Sequence, residues 1–199
     1  KGVYKGARAL NRGKFAVGPV RWIYCYNESN WSAHEQAREI QPGEVVILEG
    51  FDIADRATVG ELVCKYMLLY QGAVAVASNK PLRDGNDLIR HNWPIWCSGL
   101  TEVGCFNRKN EEKLDPEIEK ERRALLDGAI AVCDDTGVVI VPEEQLTEEF
   151  YDKVVGMEQQ EDIWFYCLDS LKWDTYDIVC QKRYRDEDIT LPKGNPDTK

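Results

Sequence analysis

Apolar positions along the first 150 residues fall into short Val/Ile runs alternating with helical spacing, punctuated by Gly and Pro. Val17–Tyr26 reads as a strand rich in Val, Ile, Tyr and Trp around a Gly18-Pro19 break. Ser32–Ile40 reads as a helix, with Ser32 as N-cap and Glu35 three residues on completing a capping box. Gln41-Pro42-Gly43 stops it, and Glu44–Glu49 is an apolar run suited to a buried strand. Gly60–Gln71 places Leu62, Val63, Tyr66, Met67, Leu69 and Tyr70 near helical spacing before a Gly72 stop, and Ala73–Ala77 follows as a strand.

A second round predicts a short helix at Asn86–His91 and a strand at Pro94–Cys97. Glu111–Leu126 is so charged that, as a helix, it belongs on the surface, held by i,i+4 pairs. Ala129–Cys133 and Val138–Val141 read as strands joined by a tight turn, Asp134–Gly137. Pro142-Glu143-Glu144 opens a helix through Val155, with acids at its positive end. Residues 156–199 form an acidic, aromatic extension whose last stretch, Leu191–Lys199, reads as a frayed tail. The alternation predicts an α/β domain over residues 1–155.

Charge narrows the function. With 25 Lys+Arg against 35 Asp+Glu the net charge is −10, which argues against nucleic-acid binding, since phosphate neutralisation needs a basic face. No stretch approaches the ~20 apolar residues of a membrane span, and Lys1–Gly18 lacks the apolar run of a secretory signal. The chain begins at Lys rather than Met, which points to residues before it. Seven scattered cysteines form no C-x-x-C pair and only His34 and His91 accompany them, so a zinc site is not expected. They read as buried thiols of a cytoplasmic protein.

The sequence lacks dinucleotide, P-loop, serine-hydrolase and zinc-protease motifs. Polar residues stand instead where apolar runs end. Gly60-Glu61-Leu62 opens a helix whose free N–H groups suit a carboxylate or developing oxyanion. Arg83-Asp84 follows the 73–77 strand, where ligands of open α/β sheets gather. Arg83 offers a bidentate carboxylate clamp and Asp84 a hard oxygen for a divalent cation. Singly, each has an ordinary role: a surface ion pair, a dipole-complementing acid, and, for Lys80, a solvated loop residue. Spacing alone leaves that choice open.

Taken in order, Gly18-Pro19-Val20, Asn30…His34, Gln41–Val46, Gly60-Glu61-Leu62, Arg83-Asp84, Trp93–Trp96…Gly99 and Asp134–Pro142 resemble the RraA-like family. That family includes the regulator of ribonuclease E activity and class II 4-hydroxy-4-methyl-2-oxoglutarate/4-carboxy-4-hydroxy-2-oxoadipate aldolases. The resemblance spans roughly residues 8–155 and implies a swivelling β/β/α fold, a homotrimer or dimer of trimers, and a site at a subunit interface. The family's initial helical region, expected before Gly2, is missing from this chain.

The resemblance implies Mg²⁺ or Mn²⁺ bound directly by Asp84 and through water by Glu61. Arg83 would grip the carboxylate and keto oxygen of a 2-oxo acid, with the backbone of Gly60, Glu61, Leu62 and Val63 cradling that carboxylate. The implied reaction is C–C bond cleavage through a metal-stabilised pyruvate enolate, with oxaloacetate decarboxylation as an expected side activity. Its general base is unassigned, a metal-bound water and a neighbouring subunit's carboxylate both remaining open. Lys80 stands where the family usually has Gly, so a bulky cation lies beside the implied pocket, placed to grip a second anionic group of a different substrate. The other class of function is a catalytically silent protein that binds and regulates a protein partner. Asp84 separates the two, because a silent binder needs no metal ligand there.

Overall fold

The structure, a computed structural model, describes residues 2–191. Its strands are β1 (Arg8–Ala9), β2 (Ala16–Tyr26), β3 (Val45–Phe51), β4 (Ala75–Ser78), β5 (Ile95–Cys97), β6 (Ile130–Asp134) and β7 (Gly137–Val141). Its helices are α1 (Trp31–Gln36), α2 (Glu61–Lys65), α3 (Gly85–Arg90), α4 (Pro116–Leu126), α5 (Glu148–Asp169) and α6 (Arg183–Asp186). The chain divides into two compact units, Lys1–Gln145 and Leu146–Lys199. Residue 155, where the sequence pattern changes, lies within α5.

All seven strands belong to the first unit and form one sheet in the order β1-β5-β4-β3-β2-β6-β7. Strands β2, β3, β4 and β5 run parallel, whereas β1, β6 and β7 join antiparallel. The eleven-residue β2 serves two neighbours: Ala16–Pro19 pairs with β6, and Val20–Tyr26 pairs with β3. Gly18 sits at this junction because a Cβ there would fall 2.2 Å from the Gly43 carbonyl oxygen. The N-terminal segment then carries the sheet most of the way round on itself. Tyr4 N donates to Val138 O at 2.8 Å and Ile140 N to Gly2 O at 2.7 Å, just before β1 takes the opposite edge. The result is a nearly closed, barrel-like sheet with little open edge.

β3 shows why this sheet is stable. Val45 and Ile47 face one cluster with Ala75, Ala77, Trp96 and Ile140, while Val46 and Leu48 face another with Ile23, Met67 and Leu88. A strand covered on both faces must be apolar throughout, and full burial of each such side chain contributes roughly 1.5–3 kcal/mol.

The predicted elements all form, with corrected ends. Ser32 is not an N-cap: α1 starts one residue earlier behind Asn30, and the Ser32 hydroxyl donates to Tyr24 O at 2.7 Å. The expected capping box is therefore absent, because β2 offers Ser32 a buried acceptor. The helix predicted for Ser32–Ile40 tightens into a 3-10 turn at Ala37–Glu39, and that predicted for Gly60–Gln71 widens into a π turn at Tyr66–Tyr70. The charged helix begins at Pro116, capped by Asp115, which accepts from Glu117 N at 2.9 Å. The helix predicted from Pro142 is only a 3-10 turn at Glu143–Gln145; α5 starts behind Thr147, whose hydroxyl accepts from Phe150 N at 3.2 Å.

The second unit has its own small core, in which Cys167, Ile178 and Tyr184 pack with Trp164 and Trp173. Of the predicted frayed tail, residues 192–199 lie outside the described residues. Among the described residues no helix is long and apolar enough to cross a membrane.

Candidate functional site

Two loops leave the carboxyl ends of the parallel strands, residues 52–60 after β3 and 79–84 after β4. Their backbones are tied together and to a third segment, residues 99–105. Thr58 N donates to Pro81 O at 3.1 Å and Arg83 N to Val59 O at 3.0 Å. On the other side Leu82 N donates to Gly99 O at 3.0 Å, Ala57 N to Val103 O at 2.8 Å and Cys105 N to Ala57 O at 3.1 Å. Main-chain bonds on both sides give these loops the definition of a small sheet, which is what a preorganised site requires.

Arg83 and Asp84 end the middle loop. Asp84 adopts a left-handed conformation (φ 63°), which short polar residues tolerate, and its main chain begins α3. Its carboxylate does not cap α3. It reaches across to α2 instead, where Oδ2 accepts from Glu61 N at 3.0 Å. That approach requires glycine at the helix entrance, since a Cβ on Gly60 would lie 2.2 Å from Asp84 Oδ2. Gly104 has a similar role under Arg83, whose Nη1 would lie 2.9 Å from a Cβ there. Arg83 Nε is 3.4 Å from Asp84 Oδ1, a loose pair that leaves the guanidinium fork half-exposed.

A cavity of about 130 Å³ opens at this point. Of the residues expected at the site, Gly60, Leu62, Val63, Arg83 and Asp84 line it. Glu61 contributes its backbone N–H to Asp84, but its carboxylate turns to His91, whose Nε2 lies 2.8 Å from Oε1. His91 in turn stacks on Trp93 at 4.3 Å, which fixes the ring. Lys80 is not among the lining residues; its ammonium donates to Ala54 O at 3.4 Å. The expectation of a second anion grip at Lys80 has no support in this placement.

Residues that sequence reasoning did not assign complete the wall. Asn30, His34, Gly104 and Cys105 line the cavity. Asn30 is buried; its Nδ2 donates to Thr58 O at 3.0 Å, while Oδ1 has no hydrogen-bond partner. Asn30 and His34 carried a signal, being part of the family-like order, whereas Gly104 and Cys105 arrive through long-range pairing that no local pattern marks. The Cys105 thiol is held below its usual range, chiefly by hydrogen bonding with Cys25 and further by the charges of Arg56 and Lys80. Cys64, behind the wall, is pushed up to about 12 by burial and stays a neutral thiol.

Chemically, the arrangement offers an exposed guanidinium fork, a carboxylate with one oxygen held by a single N–H, and the free N–H groups of Leu62 and Val63 at the start of α2. Among the described residues no three His, Cys, Asp or Glu side chains converge as a metal cage.

Comparison with known proteins agrees with this architecture. The chain is 24% identical over 138 residues to a Halalkalibacterium halodurans protein named "Putative 4-hydroxy-4-methyl-2-oxoglutarate aldolase", covering 69% of this chain and 65% of that protein. It is 21% identical over 160 residues to Protein DlpA of Legionella pneumophila, covering 78% of this chain and 26% of that protein. The chain thus spans less than two thirds of the length of these two relatives. A crystal structure of Streptomyces coelicolor RraAS2, described as an unusual member of the RNase ES inhibitor RraA protein family, matches its fold. That match has a TM-score of 0.64 at 24% identity and covers 81% of this chain and 83% of the other. The family model described as RraA-like, Aldolase/RraA, matches residues 1–140, and the chain belongs to that family.

Proposed function

We propose that the protein is a divalent-metal-dependent lyase that cleaves a C–C bond of a 2-oxo acid at the Arg83–Asp84 cavity, with oxaloacetate decarboxylation as a side activity. The observation that carries this reading is the carboxylate of Asp84, which Gly60 admits to the cavity and which no strong ion pair consumes. The donor set suits Mg²⁺ or Mn²⁺: hard carboxylate oxygen, without a cage of protein ligands, matches ions that retain several waters. Asp84 would hold the ion directly and Glu61 through water. When bound, the ion supplies a Lewis acid for the 2-oxo acid's carboxylate and keto oxygen.

Arg83 binds the substrate's carboxylate and keto oxygen through its planar fork, where it neutralises the charge that develops on the keto oxygen, and the N–H groups of Leu62 and Val63 cradle the carboxylate. His91 holds Glu61 in place from outside the cavity. Pyruvate release from 4-hydroxy-4-methyl-2-oxoglutarate in Mg²⁺ or Mn²⁺, abolished by EDTA, is the expected result. Turnover undiminished in EDTA would eliminate the metal mechanism.

Leu62, Tyr66, Leu69 and Tyr70 form an exposed apolar stripe along α2 and its π turn, beside the cavity. This supports assembly as a homotrimer or dimer of trimers, with a neighbouring subunit closing the site; light scattering that returns a stable monomer at micromolar concentration would contradict it. The seven free cysteines suit a reducing cytoplasm. A second reading, a silent regulator that binds a basic protein partner, is favoured by the net charge of −10 and by Tyr151, Met157 and Phe165 exposed on α5. Asp84→Asn separates the two, since it should stop turnover but leave partner binding intact.

A further inference from the structure

The wall of the Arg83–Asp84 cavity holds a pair of thiols that the lyase reading does not use. Cys25, near the end of β2, is fully buried in the cluster of Ile23, Val46 and Leu48, with its Sγ 3.6 Å from Glu49 O. Cys105 arrives from far along the chain, and its half-buried side chain lines the cavity and packs against that same cluster. Main-chain bonds bring the two together. Tyr26 N donates to Ser29 O at 3.1 Å, which turns the chain back directly after β2. Phe106 N then donates to Glu28 O at 2.8 Å, and Asn30 N to Phe106 O at 3.0 Å. With Cys105 N bonded to Ala57 O on its other side, the two thiols are left in hydrogen-bond contact.

The two sulfurs are unequal. Cys105 is reached from the cavity, whereas Cys25 has no exposed surface. Arg56 engages the residues before and after Cys105: its Nη1 donates to Gly104 O at 3.1 Å, and its guanidinium lies 4.5 Å from the centre of the Phe106 ring. Glu28 offsets part of that charge through Arg56 Nε at 3.1 Å, and Lys80 adds to it from the loop after β4. The Cys25 thiol stays protonated and donates to Cys105, which is held below the usual thiol range. A reachable, thiolate-prone sulfur with a protonated thiol against it is the arrangement of an attacking and a resolving cysteine. Cys64, Cys97 and Cys133 lack the first part, because burial pushes each of them up.

We propose that Cys105 and Cys25 are a modification site at which a hydroperoxide drives a reversible disulfide in the cavity wall. The Cys105 thiolate attacks the peroxide: an S–O bond forms, the O–O bond breaks, and the departing hydroxide takes a proton from solvent. The Cys25 sulfur then attacks the Cys105 sulfenic acid. The S–S bond forms, the S–O bond breaks, and the oxygen leaves as water with the Cys25 proton. The thiol pair loses two electrons and the peroxide gains them. Exchange with a small cellular thiol restores both residues, which suits a transient disulfide in a reducing compartment. Oxidation ties the Cys105 sulfur to the core next to Gly104, the residue that underlies Arg83. The thiol chemistry is independent of the lyase reading.

Limited oxidation of the 199-residue chain with hydrogen peroxide, then alkylation with iodoacetamide and peptide mapping by mass spectrometry, tests this. A linked Cys25–Cys105 peptide pair, two hydrogens lighter than its free peptides and absent after dithiothreitol, is expected. Cys105 should be consumed at least about tenfold faster than Cys64. Cys25→Ser should leave Cys105 as a sulfenic acid that dimedone traps, and Cys105→Ser should leave Cys25 reduced. Circular dichroism confirms that each variant is folded. Three results on the parent chain would each overturn the proposal, whatever the variants do. They are Cys105 pairing with Cys180 in place of Cys25, Cys105 oxidised while Cys25 stays reduced, and Cys105 consumed no faster than Cys64.

Discussion

Two arginine–carboxylate pairs stand at the carboxyl ends of the same parallel strands, on opposite faces of the sheet, and they are built in opposite ways. Arg122 grips Glu49 through Nε and Nη2 at 2.8 and 2.7 Å, and only 18% and 4% of the two side chains is exposed. Arg83 touches Asp84 through one contact of 3.4 Å, with 52% and 36% exposed. In the first pair both carboxylate oxygens are held by the guanidinium and one also by Trp22 Nε1, so the carboxylate is engaged on folding. The second has a free guanidinium fork and spare carboxylate lone pairs, held in place by backbone instead of by each other. A tight buried pair serves the fold; a loose pair on a rigid loop is available for a ligand.

The largest effect should come from opening the closed pair. Arg122→Met leaves Glu49 buried without its cation and should cost about 3–5 kcal/mol of stability, read by denaturant unfolding, while turnover of the fraction that remains folded stays near normal. The open pair should respond in the reverse sense. Asp84→Asn keeps an oxygen for Glu61 N–H and tolerates the left-handed backbone, so its melting temperature should match the parent. Its kcat for 2-oxo acid cleavage should nevertheless fall by about 10²–10³. If the two variants exchanged phenotypes, the distinction between the pairs would be lost.

A smaller perturbation tests the geometry between them. Gly60→Ala suits the backbone at φ −126°, yet its methyl would displace the Asp84 carboxylate. About a tenfold loss of kcat with little change in stability is expected, since a 1 Å misplacement costs up to about 10². Unaltered kinetics would show that the carboxylate position is immaterial.

The fold was legible wherever local pattern decides. The Val/Ile runs of β3, β4, β6 and β7, the Gly72 stop and the Asp134–Gly137 turn follow from spacing; Asp134 Oδ1 accepts from Thr136 N at 2.8 Å and Gly137 N at 3.2 Å. What stayed hidden depends on partners far along the chain. β1 is two residues long and exists because its backbone meets β5. Arg122 reads as one charge in a surface helix, and nothing local reveals that it crosses 73 residues to Glu49. At the site, Gly60-Glu61 and Arg83-Asp84 were visible as short motifs at characteristic spacing. The turn of Glu61 toward His91, and of Lys80 toward Ala54, follows from side-chain geometry that spacing does not encode.

The smallest expected effect concerns the thiols, Cys64 and Cys105 beside the open site and Cys133 on β6 in the other core cluster. Cys64 and Cys133 are pushed from an ordinary value of 9.0 up to about 12 by burial. A raised pKa favours the protonated, folded form, so this stability is complete below pH 9 and is lost as pH rises toward 12. By pH 10 each thiol should cost on the order of 1 kcal/mol, and Cys64→Ala should flatten the decline of melting temperature with pH. Cys105, with its lowered pKa, should react with iodoacetamide well before Cys64.

The most direct measurement is a calorimetric titration of oxalate, a planar mimic of the pyruvate enolate, with and without Mn²⁺, on the parent chain and on Asp84→Asn. Binding that requires both Mn²⁺ and the Asp84 carboxylate, and that Arg83→Lys weakens by about tenfold or more, is the predicted result. Oxalate binding of equal strength in folded Asp84→Asn, or binding indifferent to Mn²⁺, would contradict the assignment of this cavity as a metal-dependent 2-oxo acid site.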